Sequence, residues 1–467
     1  MRRFIFRRPK AAGASPVAPE DEKYPFWQTL AYGTQHILAM YGGVIAPPII
    51  VGTAAGLSAG EIALLLTAGL FVSGASTMLQ TLGVWKFGSR LPVVQGISFI
   101  SVSTMVVIVS DQGLPTLFGA IIVAGAAAFL VAPLFGAVIR FFPPVVTGSI
   151  IIVIGISLLP IALTWIQGGV GAENFGSMSN LGLAGFTFVV IMLLSRLFQG
   201  AISRLSILLG IIIGTALAAV MGQADFSTVG DGPVFAVPGL MPFGAPEFSF
   251  GAIVSMFIVC LIIMIETATA GIITVGEIIG AKVDAKRITA GLRADMISTT
   301  VAPIFGTFPL GAFAQNVGLV ALTGIRSRYA VAAGGGVMLL LGLLPIVGRV
   351  VAAIPYPVLG GAGIVLFGTV AASGIRSLAT VRFDGNLNLV IVAVTVGVGI
   401  IPQLAPDFWS SAPGWLAVVL HSGITAAAVL AILLNLFFNE WSWGKRKDPS
   451  ITAAGVEAAV EAQGKTN

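Results

Sequence analysis

The sequence predicts an all-α polytopic membrane protein, and three observations predict it. Of 467 residues, 57% are hydrophobic and only 9% charged, against about 25% charged in soluble domains. Mean hydropathy is +1.01. The apolar residues come in long blocks rather than amphipathic stripes, for example 150–165, 205–221 and 416–438.

A membrane span needs roughly 20 apolar residues. Fourteen candidate spans follow, starting near Trp27, Ile62, Pro92, Leu117, Val145, Phe186, Leu205, Ala252, Ile288, Pro309, Tyr329, Pro357, Asn388 and Trp415. Several are interrupted by Pro or Gly. The N-terminus, Met1 to Lys23, is basic and then acidic. It lacks the short apolar stretch and small-residue cut site of a signal peptide, and reads as a cytoplasmic tail. The tail after Trp443 is polar and Ala-rich.

Charge fixes the expected topology. With the N-terminus inside and fourteen spans threaded, only Arg349 of the 24 Lys and Arg residues falls outside. Basic residues concentrate in cytoplasmic loops, so the span count reads as even, with both ends inside. The net charge of +5 then needs no nucleic-acid partner. The longest outer segments, 167–181 and 222–248, read as connectors. The single cysteine, Cys260, lies in an apolar run and reads as a packing residue.

Seven spans per half puts the two halves in opposite orientations, as inverted repeats require. The third span opens Leu91-Pro-Val-Val-Gln-Gly-Ile-Ser-Phe99. The tenth, third in its half, opens Phe308-Pro-Leu-Gly-Ala-Phe-Ala-Gln-Asn316. Each has a Pro, a Gly and an amide where a plain span would be aliphatic. Irregular backbone at membrane depth is tolerated only inside protein or against a cavity. A paired interruption points to a transporter's binding site; two ordinary proline kinks are the alternative.

Polar residues at depth narrow this further. A carboxylate at mid-bilayer costs roughly 2.5–3.5 kcal/mol on the mildest scale. Two acidic residues stand in apolar runs, Glu266 and Asp295. Desolvation favours the neutral form of a carboxyl group, which suits proton exchange. For Asp295 the alternative is an ion pair with Arg293 or Arg287. Glu277, near a span end, reads as snorkelling. His36 and His421 read as helix-tying residues. The adjacent amides Gln315 and Asn316 offer donors beside acceptors, a match to the N–H/C=O edge of a flat heterocycle rather than to an inorganic ion.

No GxxxxGK[ST] loop is present, so nothing points to ATP as the driving force. One Cys and two His supply no metal cluster. Neither a cofactor nor a nucleophile–base constellation is expected.

These residues together resemble the signature of the nucleobase–ascorbate transporter family. Gln315-Asn316-Val317-Gly318 followed by Thr323-Gly324 matches its QNxGxxxxTG form. Gln35-His36 resembles its first-span QH motif, and Pro92 to Phe99 its third-span segment. Glu266 and Asp295 sit where the family has its eighth- and ninth-span carboxylates. The resemblance covers Trp27 to about Phe438.

It implies fourteen spans in two inverted repeats of seven, with short extended strands in spans 3 and 10. It implies a core domain of 27–140 and 250–350, a gate domain of 141–249 and 351–440, and cytoplasmic tails 1–26 and 441–467. The implied activity is proton symport of an oxidised purine, xanthine or uric acid, by a homodimer in the bacterial inner membrane. Glu266, Gln315, Phe99 and Ser98 would bind substrate. Asp295, Asn316, His36 and Thr323 would support the site or couple the proton. Family members for uracil tend to carry Glu at the first motif position, so Gln315 favours purines. Many members carry Gly-Asp three and four residues after the eighth-span Glu, where this chain has Thr269 and Ala270; that bears on whether proton or sodium is the coupling ion. The alternatives are a carrier of uracil or another nucleobase, and an anion exchanger of related architecture, which would want a basic residue at the broken spans. None lies in 91–99 or 308–323.

Overall fold

A computed structural model describes residues 18–135, 141–230, 232–384, 387–413 and 420–440. Both far tails, Arg140 and the Trp415 start of the last expected span lie outside the described residues, as does the Gln315 side chain.

The described residues are mostly helical. In chain order come α1 (Phe26–Ala54), α2 (Ala59–Leu82), β1 (Gln95–Ile97), α3 (Val102–Val131), α4 (Pro144–Ile166), α5 (Met178–Leu197) and α6 (Ser206–Val220). After a long connection come α7 (Phe250–Glu266), a π-helical stretch (Thr267–Ile273), α8 (Thr274–Ile279), α9 (Ala285–Val301), β2 (Leu310–Ala312) and α10 (Ala314–Thr323). The chain then runs through α11 (Arg328–Gly342), α12 (Pro345–Ala352), α13 (Tyr356–Leu378), α14 (Leu387–Leu404) and α15 (Gly423–Asn435).

Among the described residues, nine helices are long and apolar enough to cross a membrane, or ten if α11 and α12 count as one span bent by 79°. The expected segments that fall short do so for physical reasons. The third and fourth are two helices in one continuous run, Phe99–Leu134, separated at Gly113, whose φ of 82° and ψ of 172° leave the helix, so the run counts once. The seventh, α6, has 15 residues. The ninth, α9, has 17 and opens on Lys286 and Arg287. The tenth divides into β2 and the 10-residue α10.

The helices pack in two groups. In one, α2 lies on α11, α1 on α11, α3 on α7 and α9 on α3. In the other, α4 lies on α13, α5 on α13 and α6, and α14 on α15 and α4. The α1–α11 contact is backbone on backbone: a Cβ at Gly33 would stand 2.4 Å from Gly334 N. Only glycine allows that approach, which presses the next turn of α1, with His36, into the first group.

Two features went unpredicted. First, Pro19–Asp21 forms a short turn strapped across loop ends. Glu20 Oε1 pairs with Arg287 Nη2 at 2.7 Å, and Asp21 Oδ1 with Arg328 Nε at 2.6 Å. The Ser327 hydroxyl donates to the Glu22 carbonyl. Beside the strap, burial and then the bond to Glu22 push Tyr24 up to about 12, so its phenol stays a neutral donor. Second, the segment 222–248 does more than connect. Met241 N donates to Ile304 O (2.7 Å) and Glu247 N to Pro115 O (3.0 Å). Arg349, the one basic residue placed outside by the topology, donates to the carbonyls of Val229 and Pro233.

Candidate functional site

The two broken spans meet. β1 and β2 pair antiparallel, Gln95 opposite Ala312, Gly96 opposite Gly311 and Ile97 opposite Leu310. Ser98 N donates to Pro309 O and Phe313 N to Val94 O, both at 3.0 Å, extending the ladder at each end. The centre is glycine on glycine because both faces are filled. A Cβ at Gly96 would lie 2.8 Å from Met40 Cε and from the Phe313 ring; one at Gly311 would lie 2.8 Å from Ile263.

A helix starts immediately beyond each strand. Ser98 caps the turn Phe99–Ser101 that leads into α3, its hydroxyl accepting from Ile100 N at 3.3 Å. Phe313 precedes α10, so Gln315 and Asn316 fall in that helix's first turn. Helix N-termini carry partial positive charge and free N–H groups. Two of them thus flank a buried strand pair.

Aromatic rings wall this place. Phe99 lies 6.2 Å from Phe313 and 6.1 Å from Phe367 between ring centroids. Phe367 belongs to α13, in the second packing group, so the ring cluster lies where the two groups meet.

Glu266 ends α7 where the helix widens into the π stretch, a distortion that recurs at functional sites. It lies deep in the protein yet is only partly buried as a residue. It has no hydrogen-bond partner among the described residues. Its neighbour Thr267 is fully buried and accepts from Ala312 N at 3.0 Å, which ties the Glu266 region to β2, three residues before Gln315.

Asp295 is fully buried in α9. It interacts with the Thr267 hydroxyl without reaching strict hydrogen-bond geometry. The ion pair considered with Arg287 is absent, since Arg287 is taken by Glu20 and by the carbonyls of Ser89, Lys282 and Arg90. His36 is fully buried, with Nδ1 2.8 Å from Asn316 Oδ1.

The remaining candidates lie elsewhere. Thr323 ends α10; its hydroxyl donates to Leu319 O and accepts from Ile325 N, about 13 Å along the helix from Ala314 at 1.5 Å per residue. Glu277 is exposed. His421 Nε2 is buried without a partner among the described residues, and Cys260 is a buried free thiol. No group of His, Cys, Asp and Glu among the described residues could hold a metal. The sequence did not single out Thr267, Phe313 or Phe367. A Thr in an apolar helix and a Phe in a membrane protein carry no distinguishing signal.

The model of the Permease family matches residues 27–408. The chain is 38% identical to the xanthine permease of Bacillus subtilis over 435 residues, 93% of this chain and 99% of that one. It is 41% identical to uric acid permease PucK of the same organism, over 89% of this chain and 97% of that one. It is 40% identical to uric acid transporter UacT of Escherichia coli, over 87% and 85%. Among solved structures, the transmembrane domain of the cyanobacterial bicarbonate transporter BicA superposes with a TM-score of 0.55 at 17% identity, covering 89% of this chain and 98% of that one. Murine Slc26a9, an anion transporter in the inward-facing state, superposes with 0.61 at 14%, over 93% and 74%. These two likenesses speak to the fold alone.

Proposed function

The chain belongs to the permease family of nucleobase–ascorbate transporters, a family of membrane carriers rather than enzymes, and from that premise we propose that it imports an oxidised purine, xanthine or uric acid, by proton symport. The observation that carries this reading is Glu266. It is a partly accessible residue whose carboxyl has no partner among the described residues, set beside a strand pair flanked by two helix N-termini. A purine imide N–H supplies the donor that such a carboxylate lacks, and the Gln315 amide supplies the complementary donor and acceptor. The relatives' names, xanthine and uric acid permeases, support the same class.

In this reading Phe99 and Ser98 contribute ring and helix start to the base. Asn316, held by His36, keeps α10 in place. Asp295 acts behind Glu266 through Thr267. The finer architecture belongs to the same proposal: fourteen spans in two inverted repeats, both termini cytoplasmic, a homodimer in the bacterial inner membrane. The two packing groups support a division into core (27–140, 250–350) and gate (141–249, 351–440). Alternating access would then move one group past the other, with Phe367 and Phe99 parting at the boundary.

Thermal shift of the detergent-purified protein against a panel of xanthine, uric acid, uracil, chloride, sulfate and bicarbonate tests the substrate class. Stabilisation by xanthine or urate alone is expected. Stabilisation by uracil moves the substrate to pyrimidines. A response to the inorganic anions with none to purines makes the protein an anion carrier of this fold.

A further inference from the structure

Each strand of the crossing pair begins with a residue whose backbone is held on both sides by one threonine. Gln95 N donates to Thr77 Oγ1 at 2.9 Å, and that hydroxyl donates back to Gln95 O at 3.3 Å. Leu310 N donates to Thr299 Oγ1 at 3.1 Å, and that hydroxyl donates back to Leu310 O at 3.3 Å. All four residues are fully buried.

The geometry of the ladder explains why. Gly96 and Gly311 face each other at its centre, so the N–H and C=O of Gln95 and Leu310 point away from the partner strand. A two-stranded ribbon leaves these outer groups open, and at membrane depth no water is there to meet them. A hydroxyl is one donor and two acceptors, so a single threonine satisfies both groups of one residue. Thr77 comes from α2, the helix before β1, and Thr299 from α9, the helix before β2. The antiparallel register relates Gln95 to Leu310, so the two clamps are equivalent under the same local two-fold. The loops hide this in the sequence, because Thr77 precedes its partner by 18 residues and Thr299 by 11.

We propose that Thr77 and Thr299 are a matched pair of positioning residues for the substrate site, each fixing the placement of one strand and, through it, of the helix N-terminus beyond. They touch no substrate themselves. Because the strands are paired, loosening either clamp displaces both helix starts. The two substitutions therefore act on one device, and their effects on binding do not add. This inference rests on the transport reading given above for what is bound, but not for the clamp itself.

Thr77→Val and Thr299→Val remove the hydroxyl at nearly constant volume and leave two buried backbone groups unmet, whereas Thr77→Ser and Thr299→Ser keep both bonds. Xanthine and urate affinity of the purified full-length variants is measured together with hydrogen exchange at the amides of residues 95–97 and 310–312. Each valine variant is expected to bind about tenfold more weakly or worse, with faster exchange in both strands. The double variant should be no more than about threefold worse than the poorer single one, and the serine variants should stay within about threefold of the parent. If a valine variant does not accumulate, the alanine variant, which leaves room for water, replaces it. Unchanged affinity and exchange in the valine variants overturns the proposal, as do fully additive losses or equal loss in the serine variants. If the parent protein binds no purine, the transport reading fails on its own. The clamps then stand or fall on exchange: acceleration in both strands on substituting either threonine upholds them, and acceleration in neither, or in one alone, overturns them.

Discussion

His36 Nδ1 and Asn316 Oδ1 lie 2.8 Å apart, joining the middle of α1 to the first turn of α10 across 280 positions of chain. An amide oxygen only accepts, so the ring Nδ1 carries the hydrogen in this pairing. Both side chains are buried, and the second polar atom of each has no partner among the described residues. Truncating either one leaves the other unmet. His36→Ala and Asn316→Ala are each expected to weaken purine binding about tenfold, with a coupling of about 1–2 kcal/mol in the double-mutant cycle. Binding constants of the four proteins check this, and additive losses would show that the pair does not act as a unit.

Glu266→Gln keeps the shape of the side chain and removes its charge and its proton exchange. Uptake is expected to fall at least about a hundredfold, with abundance in the membrane and thermal midpoint close to the parent's, because no partner among the described residues is lost. The residual uptake should no longer vary with pH as the parent's does. Initial rates across a pH series provide the measurement. Parent-like uptake in this variant would remove Glu266 from the site.

Gly96→Ala places a methyl group against Met40 Cε and the Phe313 ring, each 2.8 Å from the new Cβ. The methionine can bend away; the ring, packed against Phe99, cannot. A loss of about 1–3 kcal/mol in stability is expected, with weaker substrate binding as the strands separate. Thermal unfolding with and without xanthine measures both effects. A variant as stable and as tight-binding as the parent would show that the strand centre tolerates spreading.

Arg287 holds three carbonyls and the Glu20 carboxylate at one place. Arg287→Ala is expected to cost about 1–3 kcal/mol of stability, and Glu20→Gln less, since only one of those bonds weakens. Their thermal midpoints give the order. Greater damage from Glu20→Gln would place the weight on the strap rather than on the loop carbonyls.

Much of this architecture is legible in the sequence because lipid enforces it. Apolar length marks the long helices, and the cost of charge at depth singles out Glu266 and Asp295. The proline, glycine and amide in each broken span foretell irregular backbone, and β1 and β2 stand there. Other features are set by contacts between segments far apart in the chain, which leave no periodic trace. The π stretch after Glu266 depends on how α7 meets β2. The strap depends on Glu20 and Asp21 finding arginines that, in the sequence, simply read as cytoplasmic loop charge. The fixed role of 222–248 depends on bonds to its backbone, from Arg349 among others, and on Phe243 against Phe118, and the unequal spacing of Thr77 and Thr299 conceals their equivalence. Span counting is coarsest where a helix breaks, as at Gly113 and between α11 and α12.

The most direct test of the account is uptake of labelled xanthine and urate into proteoliposomes under imposed gradients. With the outside acidic, accumulation above the equilibrium level is expected, abolished by a protonophore and indifferent to sodium. Accumulation that follows an inward sodium gradient and ignores the protonophore would contradict proton coupling. The absence of any purine uptake under either gradient would contradict the central claim itself.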